Sequence, residues 1–367
     1  MAIIVPHWGN NKAISLFVWA CTWLACPAAA SDWYSGAIHV NAGESIQAAI
    51  NAAHPGQLIL VAAGTYPEQL TVTTDGLQLV GKGAILVPPG SYAQNTCSGL
   101  AGPDTEAGIC VTGQDVQLAE FVVEHRKVIS VGRPVQDVVV AGFEVRGFSG
   151  LNIAVVGGQD VHVKGNTLYD GAQYGCLTVG STSSHIESNT VASSSSATGD
   201  DLLFIAICMD DTSDVHVTKN HVADYSVGLC VQTDGADVSS NDVTNACYGA
   251  FVDPGVTGAR VVGNHVSDDN PLCASVPGGA LIGIALLGAF DTQVHANLVE
   301  GLTTGGTNGS AVGIAILNDP VTGLESASNA VTGNVLRGND VDIFVETPGQ
   351  GNVVEGNQCS TPAELCS

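Results

Sequence analysis

From about residue 160 onward, apolar positions recur in a fixed phase around one polar residue. Asparagine stands at Asn166, Asn189, Asn220, Asn241, Asn264, Asn297, Asn334 and Asn357, with spacings of 23, 31, 21, 23, 33, 37 and 23. Three positions before each stands Val163, Ile186, Val217, Val238, Val261, Val294, Val331 or Val354. Two positions after each stands Leu168, Val191, Val222, Val243, Val266, Val299, Leu336 or Cys359. The position four before each Asn is mostly polar: His162, His185, His216, Asp237, Arg260 and Gln293 open that row. Alternation with a constant apolar phase predicts short strands buried on one face. The short spacings define a unit of about 22 residues, and the long ones add an inserted loop. Asn tolerates the left-handed conformation, so it is expected to make the bend between two strands, and on stacked coils successive Asn side chains can also bond to one another.

A third strand follows in each unit, usually opened by Gly: "GCLTV" (175–179), "AICMD" (206–210), "GLCVQ" (228–232), "GAFVD" (249–253), "GIALL" (283–287) and "GIAIL" (313–317). Its inward phase is Cys176/Thr178, Ile207/Met209, Leu229/Val231, Ala250/Val252, Ile284/Leu286 and Ile314/Ile316. Three strands per turn, stacked about 4.8 Å apart, make an all-β parallel β-helix with three short sheets.

This coil, with its Asn-bearing bend, resembles the right-handed parallel β-helix of the pectin lyase-like superfamily. The opening "IHVNAGESIQAAINAAHPGQLILVAAGTYPEQLTV" carries the resemblance further: a strand, a short helix, Pro-Gly, a second strand and "GTYPE". The resemblance covers roughly residues 37–367 and implies one elongated domain over 31–367. It implies a capping helix at about 44–54 and a C-terminal cap at about 352–367. Handedness rests on the resemblance and on the right-handed bias of parallel crossovers. The superfamily holds lyases, hydrolases, esterases, epimerases and non-catalytic proteins, so fold alone does not select an activity.

Residues 1–30 are expected to lie outside this domain. Lys12 precedes the apolar run "AISLFVWACTWLA", and Ala28 and Ala30 suit a signal peptidase. A run of about 13 residues is short for a bilayer span but right for a secretory leader, with cleavage after Ala30. The chain is therefore expected to be secreted, extracellular and monomeric. Nine cysteines follow the leader, an odd number, so at least one is free or joined to another chain. Cys97 with Cys110, Cys247 with Cys273, and Cys359 with Cys366 each flank a loop and are candidate pairs. Cys208 and Cys230 are outward neighbours that can bond, stay free or pack under a loop, and Cys176 reads as core. Asn308 opens the sequon "NGS" in a Gly-rich stretch and is the glycosylation candidate. Net charge is −25 with only 10 Lys and Arg. That balance argues against nucleic acid and anionic membranes as partners, and less strongly against polyanionic sugars.

Chemistry in the superfamily usually sits on the outer face of the Gly-opened sheet. The outward rows there are Leu177/Val179, Cys208/Asp210, Cys230/Gln232, Phe251/Asp253, Ala285/Leu287 and Ala315/Leu317. The polar part is local. Asp210, Asp211, Asp234, Asp253, Tyr248 and Asp201 are the catalytic candidates, with Asp200 beside them. Gln232, Tyr174, Tyr225 and Phe251 are candidates for holding substrate. Carboxylates on nearby coils suit paired acid–base work, and close like charges raise one pKa. Asp is also common at strand ends and turns. Calcium is the candidate ion for this acid cluster, and no other cofactor is expected. The stacked row His162, His185 and His216 is a second candidate, for a metal or a proton relay, although repetition alone also stacks like residues. The Gly-His-Gly and Arg-x-Lys motifs of polygalacturonases are absent, and the Gly-opened strands carry no Lys or Arg.

These features point first to a secreted enzyme acting on a neutral or weakly charged extracellular glycan, as a lyase, hydrolase or epimerase. The alternatives are a non-catalytic glycan-binding or structural surface protein, and a cyclase or isomerase for a small apolar metabolite. The last is motivated by Phe251, Leu287 and Leu317 beside Asp253 and Tyr248.

Overall fold

The computed structural model describes residues 36–193, 202–275, 280–304 and 311–367. The leader assigned to 1–30, together with Asp200, Asp201 and Asn308, lies outside the described residues.

Each unit runs through three sheets in turn. In one unit, strand His162–Lys164 passes the Asn166 bend into Thr167–Tyr169 and then into Tyr174–Val179. Among the described residues the first sheet has 12 strands, and the second and third have 10 each. Within these three sheets neighbouring strands pair in parallel and in register: His162 lies level with His185, and His185 with His216. The apolar rows that flank each Asn point inward, and nearly all of them are fully buried.

The Asn residues do not make the bend themselves. The left-handed residue is the one before each: Gly165, Ser188, Lys219, Ser240, Gly263, Ala296, Gly333 and Gly356. The Asn turns its amide into the core corner instead. Asn220 donates from its backbone N and its Nδ2 to Asn241 Oδ1, both at 3.0 Å, and Nδ2 also donates to Ile186 O at 2.9 Å. The same pattern repeats from Asn166 to Asn334, each onto the next Asn. A buried amide costs stability unless its donors and acceptors are met, and stacking meets them on every coil. The Gly that opens the third strand has an equally local cause. A Cβ on Gly175 would lie 2.2 Å from Val191 Cγ1, and one on Gly249 would lie 2.4 Å from Val266 Cγ1. Those valines are the apolar residues two positions after the Asn.

Helix Ile46–Ala52 caps one end, with Ser45 as its N-cap. Glu68, from the "GTYPE" stretch, accepts from the N–H groups of Ile46 and Gln47 and from the Ser45 hydroxyl at 2.9–3.0 Å. A carboxylate suits the positive end of a helix. At the other end, strand Val353–Glu355 leads into the 3₁₀ turn Ala363–Leu365, closed by the Cys359–Cys366 disulfide. Cys97 bonds Cys110, Cys208 bonds Cys230 and Cys247 bonds Cys273, while Cys176 is free and buried. No helix among the described residues is long and apolar enough to cross a membrane.

Two excursions flank strand Ala107–Thr112, one over 88–106 and one over 113–138. They fold back over the third sheet. Cys97, Leu100 and Ala101 form a second core with the outward residues Cys110, Ala154, Leu177, Val179 and Cys208. Val116, Leu118 and Val128 pack against it. Fully burying a Leu such as Leu100 stabilises by about 1.5–3 kcal/mol, and the partly buried residues contribute less. The outer face is thus sealed over its early coils and open over its later ones, and the seam between them holds the polar residues.

Candidate active site

The seam is assembled from strand ends and from one segment of the second excursion, Glu124-His125-Arg126-Lys127. Arg126 N donates to Leu100 O at 2.8 Å, which ties this segment to the first excursion. Asp210 ends strand Leu203–Asp210 and points outward. His125 Nε2 lies 3.0 Å from Asp210 Oδ2, and His125 Nδ1 lies 3.2 Å from the Tyr174 hydroxyl. Burial pushes the Tyr174 phenol far above its ordinary value, so it stays protonated. The imidazole thus bridges a phenol and a carboxylate, one at each ring nitrogen. His125 is only 2% exposed, so this link is shielded from water. Lys127 Nζ completes the Asp210 environment at 3.1 Å and donates to Gln232 Oε1 at 2.6 Å. Gln232 Nε2 in turn donates to Glu124 Oε2 at 2.7 Å.

Asp253 follows on the same outward row. Pairing sets Met209 level with Val231 and Val231 level with Val252, so Asp210, Gln232 and Asp253 fall on successive rungs. Burial pushes the Asp253 carboxyl up to about 7. Glu124 raises it further, while Gln232 and Lys127 pull it down. Two rungs of about 4.8 Å put the main chains of Asp210 and Asp253 roughly 9.6 Å apart.

Several sequence candidates stand elsewhere. Tyr225 is fully buried in the main core, with its hydroxyl 3.4 Å from Gly171 O, so it cannot touch a substrate. Tyr174 is also fully buried, sealed under the excursions, and acts on the site only through His125. Asp211 is 7% exposed because the chain turns inward after the strand ends. Burial pushes its carboxyl up to about 6, held back by the Ser184 and Thr178 hydroxyls and the Ser181 amide. Asp234 is exposed and accepts from Thr257 N at 2.7 Å, a turn role. Tyr248 and Phe251 meet edge to face at 5.4 Å between ring centres. They line a largely apolar groove of about 500 Å³ with Ile282, Leu287, Leu317 and Glu346. Leu287 continues the outward row that holds Asp253.

Glu124, His125 and Lys127 are absent from the candidates read in the sequence. They lie in no repeat, and the contacts of His125 and Lys127 span 49 to 105 residues. The one available signal was a cluster of four charged or titratable residues, "EHRK", in a chain so poor in cations.

The imidazoles of His162, His185 and His216 stack with centroid distances of 4.4 and 5.0 Å. Burial and the two neighbouring rings push the His185 imidazole below its ordinary value. Among the described residues, one group of three places metal-ligand atoms within 4.8 Å of one another: Asp160, His162 and His185. His216 is not in it. Neither are the acids read as calcium candidates, whose partners are those given above.

A family model for the right-handed β-helix region matches residues 74–266. No curated protein matches the chain significantly. Among solved structures, the chain is similar to the family 28 exopolygalacturonase of Yersinia enterocolitica. The identity is 14%, 89% of this chain and 77% of that one are covered, and the TM-score is 0.50. It is also similar to the Dettilon tailspike protein (14% identity, 83% and 61% covered, TM-score 0.47). A third likeness is to PfbA, a surface adhesin of Streptococcus pneumoniae (13%, 84% and 86%, 0.48). The chain thus spans 61% of the tailspike's length. At these identities the likeness concerns the fold alone. The matched family segment is more than half of the chain, and with the three parallel sheets and the Asn ladder it establishes that the chain belongs to the right-handed β-helix family.

Proposed function

We propose that the protein is an extracellular enzyme that cleaves a neutral or weakly charged glycan, with Asp253 as proton donor and Asp210 as base. The observation that carries this is the unequal pair on one outward row. Asp253 has a carboxyl raised to about 7, and Asp210 is ion-paired to Lys127 and bonded to His125. Two carboxyl groups whose environments differ are what general acid and base roles require. Two rungs between the pair, rather than one, leave space for a water between base and anomeric carbon. Asp253 would protonate the departing glycosidic oxygen. Asp210 would take a proton from the attacking water, whose oxygen bonds to the anomeric carbon as the old bond breaks. Tyr248 and Phe251, beside Asp253, offer apolar faces to a sugar ring. The four disulfides fit an oxidising compartment. The acidic net charge disfavours a polyuronate.

The test is turnover of a panel of neutral and weakly charged polysaccharides by the secreted protein. New reducing ends report hydrolysis, and unsaturated-product absorbance reports elimination. The largely apolar groove supports a second reading, a cyclase or isomerase for a small apolar molecule bound against Phe251 and Leu317. Silence on every polymer, with a small apolar compound protecting the protein thermally, would favour it.

A further inference from the structure

The first sheet carries a feature that the acid pair does not use. Strand His162–Lys164 pairs in register with His185–Glu187, so His162 and His185 project from adjacent coils on one outward row. Buried Val163 fixes the strand's alternation, and Asp160, at a left-handed bend (φ 54) just before the strand, is half-buried beside His162. Asp160 turns its carboxylate back over both rings. Its Oδ1 lies 3.1 Å from His162 Nε2 and 3.8 Å from His185 Nε2. The rings are nearly parallel, at 5°. Both Nε2 atoms therefore meet the same carboxylate oxygen, and the three ligand atoms lie within 4.8 Å of one another.

The geometry points to Asp160, His162 and His185 as a binding site for one borderline divalent transition ion, of the Zn²⁺, Cu²⁺ or Ni²⁺ class. Two imidazole nitrogens and one carboxylate oxygen are the donor set such ions prefer over Mg²⁺ or Ca²⁺, which want oxygen throughout. Three protein ligands leave a coordination position open to water. The side chains are 24–50% exposed, so the ion has a path in, and side-chain rotation can bring the donors to bonding distance. The overall charge of −25 favours cation approach.

The chain contains its own comparison. The phrase Asp-Val-His recurs at Asp214-Val215-His216, and Asp214 Oδ1 again lies 3.1 Å from His216 Nε2. In the first copy the next coil adds His185. In the second, the residue level with His216 on the next coil is Asp237, whose carboxylate lies 3.8 Å from His216 Nδ1. The second copy has no imidazole on its next coil, and its stacked neighbour His185 on the preceding coil already belongs to the first group, so one ion per chain is expected. A bound ion would join two coils and stabilise the folded chain, because the unfolded chain offers no such arrangement.

The experiment is titration of tag-free, chelator-treated full chain with Zn²⁺ and with Cu²⁺, read by calorimetry, by the thermal midpoint and by the nitrogen hyperfine pattern of bound Cu²⁺. One ion per chain, a raised midpoint and two imidazole nitrogens on Cu²⁺ are expected. His185→Ala should weaken binding by more than about a hundredfold, the upper end of what outer-shell changes cost. Asp160→Asn, which keeps the side-chain shape, should weaken it by at least about tenfold. His216→Ala should leave it nearly unchanged. Metal-free thermal midpoints of all variants check folding independently. Absence of saturable binding of either ion overturns the proposal. So does undiminished binding by folded His185→Ala and Asp160→Asn proteins.

Discussion

His125 Nε2 lies 3.0 Å from Asp210 Oδ2, although 85 residues separate the two in the chain. The repeat supplies Asp210, and the excursion supplies the buried imidazole that aims it. His125 is thus a positioning residue in this arrangement. His125→Ala should lower kcat by about tenfold to a hundredfold, the usual cost of a misplaced group, with KM changed less. Lys127→Ala should move the limb of the pH–rate profile near pH 7 upward, because Lys127 is one of the groups that pull the Asp253 carboxyl down. Steady-state kinetics across pH checks both.

Asp253 links activity to stability through pH. Its carboxyl rises from 3.8 to about 7 on folding, mainly through burial. As a proton donor it works while protonated, so the rate should fall as pH rises through about 7. The stability sign is the same. The folded state holds this proton more tightly than the unfolded state, so stability declines as pH rises from 3.8 toward about 7. Asp211, raised to about 6, contributes in the same direction. Asp253→Asn should flatten part of that decline, which denaturant unfolding at several pH values would measure.

The Asn ladder should behave as a chain of mutually dependent groups. Asn241→Ala removes the acceptor of Asn220 N and Nδ2 and the donor to Val217 O. Leaving buried polar groups unpaired costs about 1–3 kcal/mol each, so a loss of at least about 2 kcal/mol is expected. Urea unfolding measures it.

The bend position before each Asn gives a prediction of opposite sign. Ala296 sits at φ 54, where a side chain is strained. Ala296→Gly should stabilise by up to about 1 kcal/mol, because left-handed strain costs an L-residue roughly 1–2 kcal/mol and Gly gives some of that back in chain entropy. Gly263→Ala, at φ 65, should destabilise by a similar amount.

The repeat was legible because one physical demand recurs on every coil. Val163, Ile186 and Val217 share a phase because each faces the same interior, and Gly249 is Gly because Val266 fills the space its Cβ would need. The Asn was legible in part: the stacking of successive amides follows from the repeat, while the bend itself falls to the residue before. Its tolerance of the left-handed region suggested the bend, whereas its stacked amide is what the buried corner uses. Half of the seam was legible in the same way, since Asp210, Gln232 and Asp253 occupy one strand phase. Tyr225, expected to hold substrate, lies in the core instead. Glu124, His125 and Lys127 were not legible, because an excursion obeys no period and meets the sheet only through long-range contacts.

The central claim is that Asp210 and Asp253 act as an acid–base pair. The most direct measurement is polysaccharide turnover by the wild type, Asp210→Asn and Asp253→Asn proteins, each with its thermal midpoint recorded. The account predicts that folded single variants lose at least about a hundredfold in kcat, the range general acid–base groups supply. It also predicts loss of the limb near pH 7 in Asp253→Asn. Full turnover by both folded variants, or no turnover of any polymer by the wild type, would contradict it.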